Sequence, residues 1–201
     1  MIRAIAAVLL AAVSAVAIAQ APANPPVRVR GVVEKLDGQM LTVKSRSGEN
    51  VTIKMADNFM VVGIAKAGLD DITSGKFIGT TSVGERDGAL VALEVHIFPE
   101  AMRGTGEGHY PWDLRPDSKM TNANVANISS MGKDRVMTVQ YKGGEKKVLV
   151  PADAAVVQFT PADKSELKPG AQIFVVAQKQ ADGSLAAARV NVGLNGQIPP
   201  M

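Results

Sequence analysis

Along much of the chain apolar and polar residues alternate with a period of two. Val27-Arg28-Val29-Arg30 and Leu41-Thr42-Val43-Lys44 are clear cases. Such alternation puts every second side chain on one face of a half-buried strand. Asp37-Gly38 and Gly143-Gly144 fall where hairpins must turn, because glycine reaches positive φ without a Cβ clash. A third strand is predicted over 51–62. A short polar stretch with helical character follows (69–75), then a fourth strand (76–83), an Asp87-Gly88 turn and a fifth strand (89–98).

The same order returns later in the chain. Ala56-Asp57 matches Ala152-Asp153 and, after a slip of one residue, Val61-Val62 matches Val156-Val157. From there the offset stays at 95: Ile72 meets Leu167, Gly75 meets Gly170, Asp87-Gly88 meets Asp182-Gly183, and Val95 meets Val190. One offset that holds through turn and core positions together points to an internal duplication. The predicted fold is all-β: two tandem, small, OB-like five-stranded barrels, each with a short helix between strands 3 and 4. The first barrel spans 27–98, a connector 99–121, the second barrel 122–196, and a tail 197–201. A β-sandwich or one shared sheet is the alternative that the same pattern allows.

Certain positions resemble a family of exported bacterial small-barrel domains of unknown function, often in tandem. They are the opening Gly31-Val32-Val33, the apolar-x-x-Gly turns Ile72-Thr73-Ser74-Gly75 and Leu167-Lys168-Pro169-Gly170, and the closing Asp-Gly hairpins running to Ala92 and Ala187. The resemblance covers most of 27–98 and, more weakly, 122–193, and it implies a fold without implying a reaction. The segment from His96 to Leu114 is also similar to sequences labelled metal-transporter permease. After residue 20 the chain holds no apolar run long enough for a span, so the permease label does not fit it.

The first 19 residues change the picture of compartment. Arg3, an apolar run and Ala17-Ile18-Ala19 have the layout of a cleaved secretory signal peptide, followed by a Pro/Ala-rich leader over 20–26. An uncleaved anchor is the alternative. The expected location is periplasmic or secreted. There is no cysteine, so burial and not disulfides must hold the fold. Lys and Arg number 22 against 19 Asp and Glu. That near balance, with few aromatics, disfavours nucleic acid as a partner.

Candidate chemistry gathers in 94–114, which holds both histidines and the only tryptophan. Val95 and Ile97 take core positions, so Glu94, His96 and Phe98 are expected on the other face, with His96 an exposed strand histidine. Glu107 and His109 are two apart and can face one point in extended backbone, with Glu100 and Asp113 as further oxygen donors. Histidine with carboxylates suits Zn or Cu, though no H-E-x-x-H or H-x-H spacing is present. Arg103-Gly104-Thr105-Gly106-Glu107-Gly108 lacks the Gly-Lys-Ser/Thr ending and the following helix of a phosphate loop. Tyr110 and Trp112 either plug a gap between barrels or offer a stacking face.

No nucleophile motif or selected carboxylate pair is present, so no catalytic residue is assigned. Two readings follow. One is a non-enzymatic binding or assembly module of the cell envelope that recognises a protein or glycan through Tyr110, Trp112, Arg103 and Phe98. The other is a metal-binding protein using His109, His96, Glu107, Glu100 and Asp113. A hydrolase stands third.

Overall fold

The computed structural model describes residues 25–201. The expected signal peptide and nearly all of the leader lie outside the described residues. The chain is all-β, and among the described residues no helix is long and apolar enough to cross a membrane. Strands in the first half are β1 (Val27–Asp37), β2 (Met40–Ser45), β3 (Asn50–Lys66), β4 (Phe77–Arg86) and β5 (Ala89–Ile97). A short strand, β6 (Gly108–Pro111), lies within the connector. The second half supplies β7 (Lys119–Met131), β8 (Asp134–Tyr141), β9 (Gly144–Val150), β10 (Ala155–Pro161), β11 (Gln172–Lys179) and β12 (Leu185–Gly193).

The predicted strands and turns are therefore present, but the helices are not. Each is one three-residue 3-10 turn, at Leu69–Asp71 and Lys164–Glu166. Two acidic neighbours and no buried residue give the first of these no face to pack, so it does not lengthen.

Strand partnership departs from the expected order of one barrel per copy. β1, β2, β3, β12 and β11 pair in a closed five-stranded barrel. It takes three strands from the first half and two from the second. A second cycle of pairings runs β7, β8, β9, β5, β4 and back to β7, with the halves' contributions reversed. Having finished its third strand, each half crosses over and lends its last two to the other. The crossing strands meet in parallel: Val61 opposite Val190 in one cycle, Val156 opposite Val95 in the other.

The registers of the two cycles correspond at the offset of 95. Ile53 faces Leu185 just as Val148 faces Leu90. At the centre β3 and β10 run antiparallel, and Ile64 is opposite Phe159, its own counterpart at that offset. A local two-fold relation between the halves therefore passes between these two residues. One difference is chemical. Proline has no N–H for a ladder, and Pro151 ends β9 where β3 runs on through 17 residues.

Burial follows the pairings. Val29, Val33, Leu41, Val43, Ile53 and Val190 fill the first barrel. Ile78, Val95, Val125, Met137, Val139 and Val148 fill the second cycle. A third cluster joins residues from both: Ile64, Met120, Val157, Phe174 and Met201, with Tyr110, Trp112 and Phe159 packed against it. At ~25 cal/mol per Å² of buried apolar surface, three such clusters are the stabilising resource of a chain without disulfides.

Six of the ladders join one half to the other. A protease site placed between Gly104 and Gly106, both in positive φ on the exposed connector, tests that linkage. After cleavage the two fragments should co-elute as one 1:1 complex by gel filtration with light scattering. Separation into two folded monomers would contradict the exchange.

Candidate functional site

A cavity of about 1100 Å³ opens beside the third cluster, lined from both halves and from the connector. Phe98, Phe159 and Phe174 supply aromatic wall, and Tyr110 and Trp112 close it from the connector. β6 places these last two. It pairs with β7 from Gly108 opposite Asn122 to Pro111 opposite Lys119, which turns Tyr110 inward and His109 to the other side. The connector is thus an added strand, and its aromatics plug a gap while lining a cavity.

The rings are close. Phe98 and Phe159 centroids are 5.0 Å apart in an edge-to-face arrangement, Tyr110 and Trp112 6.1 Å, and Trp112 and Phe174 6.3 Å. The Arg28 guanidinium lies 4.0 Å over the Trp112 ring. A stacked cation over an indole is worth ~0.5–2 kcal/mol, depending on how far it is desolvated. Arg28 Nε and Trp112 Nε1 are nevertheless buried N–H groups with no hydrogen-bond partner. Asp113 is 3.8 Å from Arg28 Nε, too far to accept from it, and is engaged by Arg30, whose Nη1 and Nη2 donate to it at 3.2 and 2.7 Å. Each unsatisfied donor of this kind costs about 1–3 kcal/mol.

His96 lines the cavity as well, but it is not the exposed residue that the alternation predicted. Glu94, His96 and Phe98 are 1, 3 and 6% exposed. The reason is the strand exchange: β10 runs alongside β5, with Val157 opposite His96, so the face away from Val95 and Ile97 meets the third cluster and not solvent. The imidazole touches Phe98 and Phe159 at centroid separations of 5.1 and 5.3 Å. His96 Nδ1 donates to Glu94 Oε2 at 2.9 Å, because a carboxylate oxygen can only accept. Glu94 Oε1 accepts from the Thr81 backbone N–H at 2.8 Å and from Thr81 Oγ1 at 2.7 Å. The buried Glu94 side chain is thus hydrogen-bonded through both of its oxygens.

Gly79 makes room for the ring. It pairs with His96 across β4 and β5, and a Cβ there would fall on His96 Nε2 and Asn122 Oδ1. In the other half the counterpart pair is Phe174 and Asn191, with the large ring on the partner strand. Asn122 Nδ2 donates to the Thr105 carbonyl at 3.0 Å, which leaves its Oδ1 buried beside His96 and unpartnered.

The expected metal donors are not brought together. Glu100 pairs with Arg103, whose Nη2 donates to it at 2.6 Å. That hydrogen bond, in the main, holds the Glu100 carboxyl below its usual range. Asp113 faces Arg30; burial pushes its carboxyl up, but the hydrogen bond and charge of Arg30, with Arg28, outweigh this and hold it down. Glu107 Oε1 accepts from the Lys142 backbone N–H at 3.0 Å, and His109 stacks on the neighbouring Tyr141 at 6.3 Å. Glu107 and His109 thus lie against adjacent residues, but the charges acting on His109 are cations. Burial, then Lys146 and Lys119, lower the His109 pKa. Among the described residues no group of three or more His, Asp and Glu is placed to hold a metal ion.

Of the expected recognition residues, Phe98, Tyr110 and Trp112 line the cavity, and Arg103 does not. Arg103 pins the connector, its Nη2 donating to the Gly75 carbonyl at 2.9 Å and its Nη1 to Asn124 Oδ1. Sequence reasoning missed Arg28, Phe159 and Phe174. Arg28 and Phe174 were read only as residues of alternating or apolar strands, and nothing in that pattern shows which strand faces another half. Comparison with protein-family models, curated proteins and solved structures finds no match.

Two predictions follow from this geometry. Gly79→Ala should destabilise the fold by about 1–3 kcal/mol through overpacking. Combined with His96→Asn, the loss in urea unfolding should be smaller than the sum of the single losses, since the smaller side chain frees the space. Additive losses would contradict the contact. His109 should titrate below its ordinary value of about 6.5 by NMR. Its folded form binds the proton less readily than the unfolded one, so its contribution costs stability as pH falls from neutrality through that value. His109→Gln should remove that part of the acid sensitivity.

Proposed function

We propose that this protein is an exported, non-enzymatic binding module of the cell envelope, made from two duplicated OB-like units that exchange strands. Its recognition site is the cavity between them, and it takes an apolar or aromatic group presented by an envelope ligand, whether partner protein or glycan. The observation that carries this reading is the cavity itself. Its volume is that of a ligand site, and its walls are mainly apolar with a few convergent polar groups. Five aromatic rings line it from separate parts of the chain: Phe98, Tyr110, Trp112, Phe159 and Phe174. Export rests on the signal-like first 19 residues, and the duplication on the shared offset and matching registers.

The absence of a nucleophile motif beside the Glu94–His96 pair favours binding over catalysis. Glu94 is occupied by Thr81 and His96, and the imidazole is enclosed by phenyl rings.

The test is a neutral apolar dye, N-phenyl-1-naphthylamine, titrated into the folded protein. Its fluorescence should rise and saturate at one equivalent, and should be lost in the Tyr110→Ala/Trp112→Ala double variant with an unchanged far-UV spectrum. Loosening of the fold would increase dye binding, so a loss cannot come from misfolding. Equal binding by the double variant, or none by the native protein, rejects the site.

A further inference from the structure

We infer that the cavity is built for an amphipathic carboxylate: an apolar body among Phe98, Phe159 and Phe174, and an acid group on the wall formed by Arg28 and Trp112. This deepens the binding reading above and rests on it.

The polar groups of the wall decide the chemistry. Arg28 Nε and Trp112 Nε1 are both donors, both buried and both without an acceptor. Solvent reaches neither atom, so what the wall offers a ligand is the rest of the Arg28 guanidinium, whose Nη groups hold no hydrogen bond and which lines the cavity stacked on Trp112. The acceptor best placed within the protein, Asp113, is engaged by both Nη groups of Arg30 and stays 3.8 Å from Arg28 Nε. An alcohol or carbonyl would offer a single neutral oxygen. A carboxylate offers two oxygens and the charge that a guanidinium favours.

Neither of the cavity's own acids is paired with Arg28: Gln39 Nε2 donates to Asp57 at 2.5 Å, and Ser184 Oγ donates to Asp182 at 2.6 Å. A phenyl or short alkyl body matches the apolar part of the lining.

The test uses 4-phenylbutyrate and its neutral isostere 4-phenyl-1-butanol on the full mature chain. Trp112 is the only tryptophan, so its fluorescence reports on the cavity directly. The acid should bind about tenfold or more tighter than the alcohol. Arg28→Gln should bring the acid down to the affinity of the alcohol and leave the alcohol unchanged. Phe159→Ala should weaken both. Arg28→Lys, which keeps the charge without Nε, covers the case in which the glutamine variant does not fold, and should retain only part of the preference. Equal affinities for acid and alcohol in the native protein overturn the carboxylate and leave the binding site standing. Binding of neither overturns both.

Discussion

Edge pairing is the constraint from which the other features follow. A five-stranded barrel has no free edge, and each three-strand unit here, β1–β3 or β7–β9, is closed only by two strands that the other half supplies. Unpaired strand edges invite association with other chains, and closure removes them. Closing by exchange has a second effect that one barrel per copy would not have. It draws the C-terminal part of β3 and β10 into a common antiparallel seam, with Ile64 opposite Phe159. The third hydrophobic cluster forms over that seam, and the cavity lies beside it.

Near two-fold symmetry around the seam makes the departures from it informative. At one pair of related positions a glycine faces a histidine, and at the other a phenylalanine faces an asparagine. The larger side chain of the pair sits on β5 in one case and on β11 in the other. As a result one side offers the cavity an imidazole fixed by a buried carboxylate and the other a phenyl ring. The connector, which has no counterpart, adds Tyr110 and Trp112 to only one side. The cavity beside the seam is in this way lined differently from its two sides.

The alternation of Val27 to Arg30 and of Leu41 to Lys44, and the Asp-Gly turns, made the strands legible, because those signals are local. Which strand joins which was not legible. A strand that continues into its own barrel and one that crosses into another carry the same period of two, and the choice is made by contacts between residues some 100 positions apart. That is also why His96 was misplaced. Its alternation correctly put it opposite Val95 and Ile97, but the far face is exposed only if nothing packs there, and β10 does. Arg30, which holds Asp113, and Lys142 and Lys146, beside Glu107 and His109, come from distant parts of the chain and leave no local trace, whereas Arg103 is only three residues from Glu100.

Tyr110 and Trp112 could in principle be filler alone, since both pack on the third cluster. The distribution of unsatisfied polar atoms argues against it. Folded proteins keep few buried polar groups without partners, and filler aromatics are normally seated so that an indole N–H finds an acceptor. Among the described residues four buried side-chain atoms lack one: Arg28 Nε, Ser82 Oγ, Trp112 Nε1 and Asn122 Oδ1. Two of the four belong to residues that line one cavity, and a third sits beside its His96. A packing plug that left donors and an acceptor unpaired around its own void would lose at each of them. Under the binding reading proposed above, such a void, lined by Arg28 as well as by rings, is what a plug alone would not leave.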